Sequence, residues 1–196
     1  MLQSSHHQNT QQQIYQIRYH AYFAKNSIRK NEEGIFTDPY DTAPNCHSHI
    51  EYVEGVPAGA IRTCVYNPQQ PDLIVPAQEL FPVEVETHIG PDKCFVESNK
   101  FVVHPRFQNK AMRLKISLFS FVFDVALKVD ADYIVTSPRA TQADFYKSML
   151  FKPISGEKRS LALDFDVVLM AFDLRAARHI LQTDPKYTML RRFGLC

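Results

Sequence analysis

Two hydrophobic periods alternate along this chain and lay out its elements. Ile14, Ile17 and Ala21 recur at helical spacing behind a Thr10–Gln13 capping-box pair, which predicts a first helix over residues 10–25. Tyr15, Tyr19, Tyr22 and Phe23 make that helix unusually aromatic, with Arg18 among them. Residues 31–44 are polar and carry Asp38-Pro39-Tyr40-Asp41, the composition of a loop. Residues 49–54 and 58–66 flank Glu54-Gly55-Val56-Pro57, predicting two antiparallel strands and their turn. The proline-containing residues 68–91 are expected to form a long connection with one helical turn near 77–81. A strand rich in Phe and Val follows over 93–104, then a break from His104 through Pro105 to Asn109.

The clearest helix comes next, over residues 110–129, where Ala111, Leu114, Leu118, Phe121, Val122 and Val125 share one stripe. Residues 132–136 predict a short strand, and Ser137-Pro138 a capped start for a helix over 139–150. Residues 151–154 and 161–172 predict two further strands. Asp173 then caps a last helix with Leu174, Ala177, Ile180 and Leu181 inward. This order predicts an α/β (α+β) fold, a central mixed and mostly antiparallel sheet with helices on both faces.

Composition narrows the function classes. At 196 residues and 45% hydrophobic, one domain over 10–196 is expected, after a polar, disordered stretch over 1–9. A net charge of +1 argues against general binding to nucleic acid. The longest apolar segment, 117–129, is interrupted by Asp124 and Lys128, so no integral membrane segment is expected. The first residues lack the basic-then-apolar pattern of a signal peptide, which points to the cytoplasm. Cys46, Cys64, Cys94 and Cys196 show no paired spacing and are expected to be reduced thiols. Cys46-His47-Ser48-His49 has no second cluster to complete a metal site, so no metal is expected. Among the six glycines no phosphate-binding GxGxxG or GxxxxGK[ST] loop is present.

The candidate chemistry lies in Lys93-Cys94-Phe95-Val96-Glu97-Ser98-Asn99-Lys100-Phe101-Val102-Val103-His104. Strand alternation puts Phe95, Glu97, Asn99, Phe101 and Val103 on one face, a carboxylate and an amide between large apolar groups. A carboxylate there loses hydration, its pKa rises, and it becomes a proton acceptor suited to neutral pH. An edge strand with its polar middle in water, or a Glu97–Lys100 pair at a bulge, fits the same pattern.

Residues 101–109 followed by a helix resemble the fourth strand and thioester-binding turn of the GCN5-related acetyltransferase-like superfamily, the acyl-CoA N-acyltransferase fold. Asp144-Phe145-Tyr146 through Leu150-Phe151-Lys152-Pro153 resembles its late helix, with Leu150 where glycine is usual. Ile14 through Tyr22, Asp38-Pro39-Tyr40-Asp41, Gly59-Ala60-Ile61-Arg62 and Glu97-Ser98-Asn99-Lys100-Phe101 occur in the order seen in autoinducer synthases. Together they resemble still more the related N-acyl amino acid synthases. Lys100 replaces the arginine common in autoinducer synthases, and Asn99 a small hydroxyl residue; both point away from a homoserine lactone acceptor.

The resemblance implies an N-acyltransferase that moves a fatty acyl group from an acyl-phosphopantetheine thioester to an amino acid. An autoinducer synthase and a non-catalytic acyl-pantetheine-binding module are the alternatives. Glu97 is the expected base, and Tyr146 the expected proton donor to the leaving thiolate. Arg18, Asp38, Asp41, Arg62, Ser98, Asn99, Lys100 and Phe101 are expected around the acceptor, and Val102, Val103, Arg106, Lys110 and Arg113 around the donor. The turn over 106–111 has no glycine, so close backbone approach to a pyrophosphate is hindered. Its basic residues suit an acidic acyl carrier protein better than free coenzyme A. No bound cofactor is expected; acyl-phosphopantetheine is a co-substrate.

Overall fold

The computed structural model describes residues 2–183. Its strands are β1 (Cys46–Val53), β2 (Val56–Tyr66), β3 (Phe95–Val103), β4 (Tyr133–Thr136), β5 (Lys152–Arg159) and β6 (Asp166–Asp173). Its helices are α1 (Leu2–Phe23), α2 (Pro76–Leu80), α3 (Pro82–His88), α4 (Ala111–Lys128), α5 (Ala143–Lys147) and α6 (Leu174–Thr183). The strands form one sheet in the order β1-β2-β3-β4-β6-β5. Only β3 and β4 run parallel; every other neighbouring pair is antiparallel. The predicted mixed sheet is therefore present.

Helices cover both faces, as amphipathic elements must to bury their apolar sides. On one face Leu118, Phe119, Val122 and Phe123 of α4 pack with Ile61, Val96, Ile134 and Phe172. Gly59 lets α4 approach closely, because a Cβ there would lie 3.1 Å from Leu118 Cδ1 and from the Val102 carbonyl oxygen. On the other face Ala77, Phe81 and Val85 pack against Phe95, Val135 and Leu169. Alongside them, Ile14, Ile17 and Ala21 of α1 cover Ala60 and Val102. Burial of each such large side chain stabilises by about 1.5–3 kcal/mol.

Several boundaries differ from expectation. Helix α1 begins at Leu2, so residues 2–9, expected to be disordered, continue the helix. They contain neither Gly nor Pro to stop it. Residues 68–91 hold two helices instead of one turn, since Pro76 and Pro82 each start a helix. Ala77, Phe81 and Val85 are four residues apart and all buried. The helix expected over 139–150 is a 3₁₀ turn, Ala140–Gln142, and the short α5. Ser137-Pro138 does not cap it, because Arg139 still bridges to Val167 in extended conformation. The strand expected over 161–172 starts at Asp166, and Arg159 pairs with Asp164 and Asp166 across the preceding turn. Leu174 and Ala177 of α6 face the core as expected; the side chain of Leu181 lies outside the described residues.

The cysteine expectation is corrected. The β1–β2 register sets Cys46 opposite Cys64, and the two form a disulfide. Spacing along the chain carries no sign of a pair created by strand register. Cys94 is a free thiol, and Cys196 lies outside the described residues.

The most consequential departure is inside β3. Lys100 has a left-handed backbone, φ 51°. The β2–β3 register slips there, between Ala60 and Arg62. This is a β-bulge, and it reverses the alternation of every later side chain. Phe95 and Glu97 face α2 and α3, whereas Phe101 and Val103 face α4. The single face expected for all five residues does not exist.

Candidate active site

Strands β3 and β4 stay paired only from Phe95–Tyr133 to Ser98–Thr136. Beyond Ser98 they part, so among the described residues the β4-facing edge of β3 has no strand partner. The opening holds a cavity of about 990 Å³. Glu97, Ser98, Asn99, Lys100, Phe101, Val102 and Val103 all line it, together with Asp38, Arg62 and Tyr146. The remaining residues expected at the site are elsewhere. Arg18 and Asp41 stand behind the cavity, Arg106 and Arg113 are exposed, and Lys110 is paired with Glu54 at 3.1 Å.

Glu97 is 1% exposed. One carboxylate oxygen accepts from the Ala77 N–H at 2.7 Å, the other from Asn99 Nδ2 at 3.1 Å. Burial pushes its pKa up to about 7, against the opposing pull of those two donors and of the Arg62 and Lys100 charges. Loss of hydration is the winning effect. A carboxylate so held exchanges a proton near neutrality.

Behind it runs a buried network of ions. Arg62 donates from Nε to Asn99 Oδ1 at 2.8 Å, and from its two terminal nitrogens to both oxygens of Asp38 at 2.6 and 3.0 Å. It also reaches Asp41 at 2.9 Å, and Asp41 is shared with Arg18 at 2.6 Å. Lys100 Nζ meets Asp38 at 3.0 Å. Burial alone would raise the Asp38 carboxyl, but the Arg62 hydrogen bonds and Lys100 outweigh it and hold the pKa far below the carboxylate range. Desolvation lowers the pKa of Lys100, with Asp38 opposing. Asp38 also caps the 3₁₀ turn Pro39–Asp41 with a capping box, which is how a loop sequence comes to hold buried charges.

Arg62 and Asp38 are therefore engaged with each other. Lys100 differs: an ammonium has three donors, and here one reaches Asp38. Its side chain is 10% exposed and lies 4.8 Å from the Phe36 ring centroid.

Tyr146, from α5, is buried among Phe119, Phe145 and Phe151. Burial raises its pKa, so it keeps its proton, and its side chain is hydrogen-bonded to Thr136, the last paired residue of β4. The expected acid thus stands where the strands part.

Lining residues that were not anticipated include Lys25, Gln108 and Arg139; Lys115, part of the basic stretch expected on the donor side, lines it too. Arg139 carried a signal, since it follows the carboxyl end of a strand in a parallel pair, where crevices form. Lys25 carried none, because it lies in the turn after α1 and the helical period does not reveal which cavity it meets.

The sequence profile of the N-acyl amino acid synthase FeeM matches residues 13–173. The chain belongs to this family. It is an N-acyltransferase. Its structure is similar to that of FeeM, an N-acyl amino acid synthase from uncultured soil microbes, with TM-score 0.70 and 19% identity, covering 84% of this chain and 91% of that one. TofI, solved in a ternary complex with an inhibitor and MTA, gives TM-score 0.65 and 14% identity over 96% of this chain and 93% of that one. BjaI, a CoA-dependent acyl-homoserine lactone synthase solved with SAM and isopentyl-CoA, gives 0.62 and 13% over 95% and 83%. No curated protein sequence matches the chain. Among the described residues no helix is long and apolar enough to cross a membrane.

Proposed function

We propose that this N-acyltransferase moves a fatty acyl group from acyl-phosphopantetheine, presented by a carrier protein, to the amine of a free amino acid. The observation that carries the reading is the placement of Glu97 and Lys100 three residues apart on one bulged strand lining one cavity. One is a buried carboxylate poised near pH 7; the other is an ammonium with donors to spare, and both line the same cavity. Lys100 holds the acceptor carboxylate, and Glu97 takes the proton from the acceptor amine, directly or through one water. The amine nitrogen attacks the thioester carbonyl. Backbone N–H groups on the unpaired edge of β3 stabilise the oxyanion, a use to which bulged strands lend themselves. The carbon–sulfur bond then breaks, and Tyr146 gives its proton to the thiolate.

Arg18, Arg62, Asp38 and Asp41 support this site from behind, with Arg62 holding Asn99 so that its amide faces Glu97. The exposed Arg106 and Arg113 suit docking of an acidic carrier. The apolar walls at Ala21, Tyr22, Leu163 and Phe165 suit a fatty chain.

The test offers acyl carrier protein thioester with free amino acids, their methyl esters and homoserine lactone, products being read by mass spectrometry. Amides of the free acids are expected. Equal reaction of the esters or the lactone would discard the carboxylate-holding role of Lys100 and favour an autoinducer synthase.

A further inference from the structure

Three cations line the cavity without carboxylate partners. Lys25 lies in the turn just after α1, Lys115 lies one turn into α4, and Arg139 follows β4. Among the described residues none of them is in an ion pair. Two are held in place without losing charge. Arg139 donates to Ser27 Oγ at 2.7 Å and lies 4.2 Å from the Phe165 ring centroid; Lys115 lies 4.4 Å from that of Phe145. They are near enough to repel: burial lowers the pKa of Lys25, and Arg139 and Lys115 lower it further. Preorganised like charges facing one space are costly unless an anion joins them.

The other place for an anion is already used. In the turn Pro105–Lys110 the Arg106 N–H donates to His104 Nδ1 at 3.2 Å and the Phe107 N–H to the His104 carbonyl at 2.9 Å. Lys110 is paired with Glu54. Those donors close the turn on itself and leave little to cradle a phosphate.

We infer that Lys25, Lys115 and Arg139 form a subsite for the 4′-phosphate of a phosphopantetheine arm, and so set the depth at which the thioester reaches Glu97. The inference rests on the thioester-dependent reading above. The phosphate is common to coenzyme A and to a carrier protein's prosthetic arm. Arg139 offers a planar fork of donors and the lysines two point charges, a set matched to a phosphodiester.

The test is equilibrium binding of two unreactive acyl thioethers, one of pantetheine and one of 4′-phosphopantetheine. The native protein is expected to bind the phosphorylated compound about ten- to a hundredfold more tightly. In the Lys115→Gln/Arg139→Gln double variant that preference falls to about one, with affinity for the pantetheine compound unchanged. Lys25→Gln/Lys115→Gln keeps the Arg139–Ser27 contact and is expected to lose most of the preference, should loss of that contact unfold the first variant. Equal affinity of the native protein for both compounds overturns the subsite and leaves the thioester reading standing. Binding of neither overturns both. A preference that survives in folded variants moves the phosphate elsewhere and overturns the assignment. Repeating the comparison with a coenzyme A thioether and with carrier protein bearing it separates the sources. The subsite serves whichever weakens in the variants, and variants that keep native affinity for both would overturn it.

Discussion

Asn99 donates its amide N–H to the Glu97 carboxylate at 3.1 Å while its carbonyl oxygen accepts from Arg62 at 2.8 Å. Arg62 can only donate, so it fixes which way the amide points. A buried ion network thereby aims one neutral hydrogen bond at the candidate base without placing a charge against it.

Glu97→Gln is expected to slow acyl transfer by about two to four orders of magnitude with the fold retained, the range for a general base. Activity of the native enzyme should rise with pH through about 7 as Glu97 ionises. Its folded pKa lies above the ordinary 4.5, so the folded state holds the proton more tightly. That contribution to stability is complete below about pH 4.5 and is lost as pH rises through about 7. Glu97→Gln therefore gains stability over the native protein between pH 5 and pH 8, on the order of 3 kcal/mol. Urea melts at the two pH values check this. A constant difference would mean the carboxylate is not desolvated.

Asn99→Asp replaces the neutral link with a carboxylate. It leaves the ionic cluster of Arg18, Arg62, Lys100, Asp38 and Asp41 without its net positive charge and sets an anion beside Glu97. The pH–rate limb is expected to move up by about one unit or more, with the alkaline plateau largely kept. A limb that stays put would show that the proton measured is not that of Glu97.

How far the sequence disclosed this site follows from what each signal depends on. Glu97 was legible because a carboxylate among Phe and Val residues is a local pattern, and Tyr146 because it resembled a family position. The bulge was foreseen only as one alternative. Lys100 is not a residue type that advertises a left-handed backbone, and its slip depends on the partner strand β2. Arg18 and Arg62 were expected around the acceptor, but their ion pairs with Asp38 and Asp41, distant in sequence, depend on the fold that brings them together. Of the expected donor residues Val102 and Val103 line the cavity, whereas Arg106 and Arg113, near it in sequence, are exposed outside it.

Arg62→Met should therefore cost stability as well as activity. It strips Asp38 and Asp41 of their shared partner in a buried setting, a loss of about 3–5 kcal/mol. The folded pKa of Asp38 is depressed, so its stabilising contribution is present above the ordinary 3.8 and is lost as pH falls. Without Arg62 that depression shrinks, and the loss of native stability below about pH 4 should become shallower. Chemical denaturation from pH 3 to pH 7 measures both. A variant as stable as the native protein would mean that Arg62 does not hold the network.

Leu150 supplies the last prediction. It ends α5 in a left-handed conformation, φ 69°. The Phe151 N–H donates to the Tyr146 carbonyl at 3.1 Å and the Leu150 N–H to that of Lys147 at 3.1 Å, the two bonds of a Schellman turn. A side chain in that conformation crowds the following carbonyl, which is why glycine suits the position. Leu150 is half-buried against the core, so its packing offsets the strain. Truncation separates the two effects. Leu150→Ala loses the packing and keeps the strain, whereas Leu150→Gly loses both. The glycine variant is expected to be more stable than the alanine variant by about 1 kcal/mol, the reverse of their order inside a helix. For a domain of this size that is roughly 2–4 °C in Tm. Because the same turn carries the Tyr146 carbonyl, the glycine variant should also retain more of the Tyr146-dependent step at high temperature. An alanine variant as stable as the glycine one would mean that residue 150 is not left-handed, and the geometry that presents Tyr146 to the cavity would fall with it.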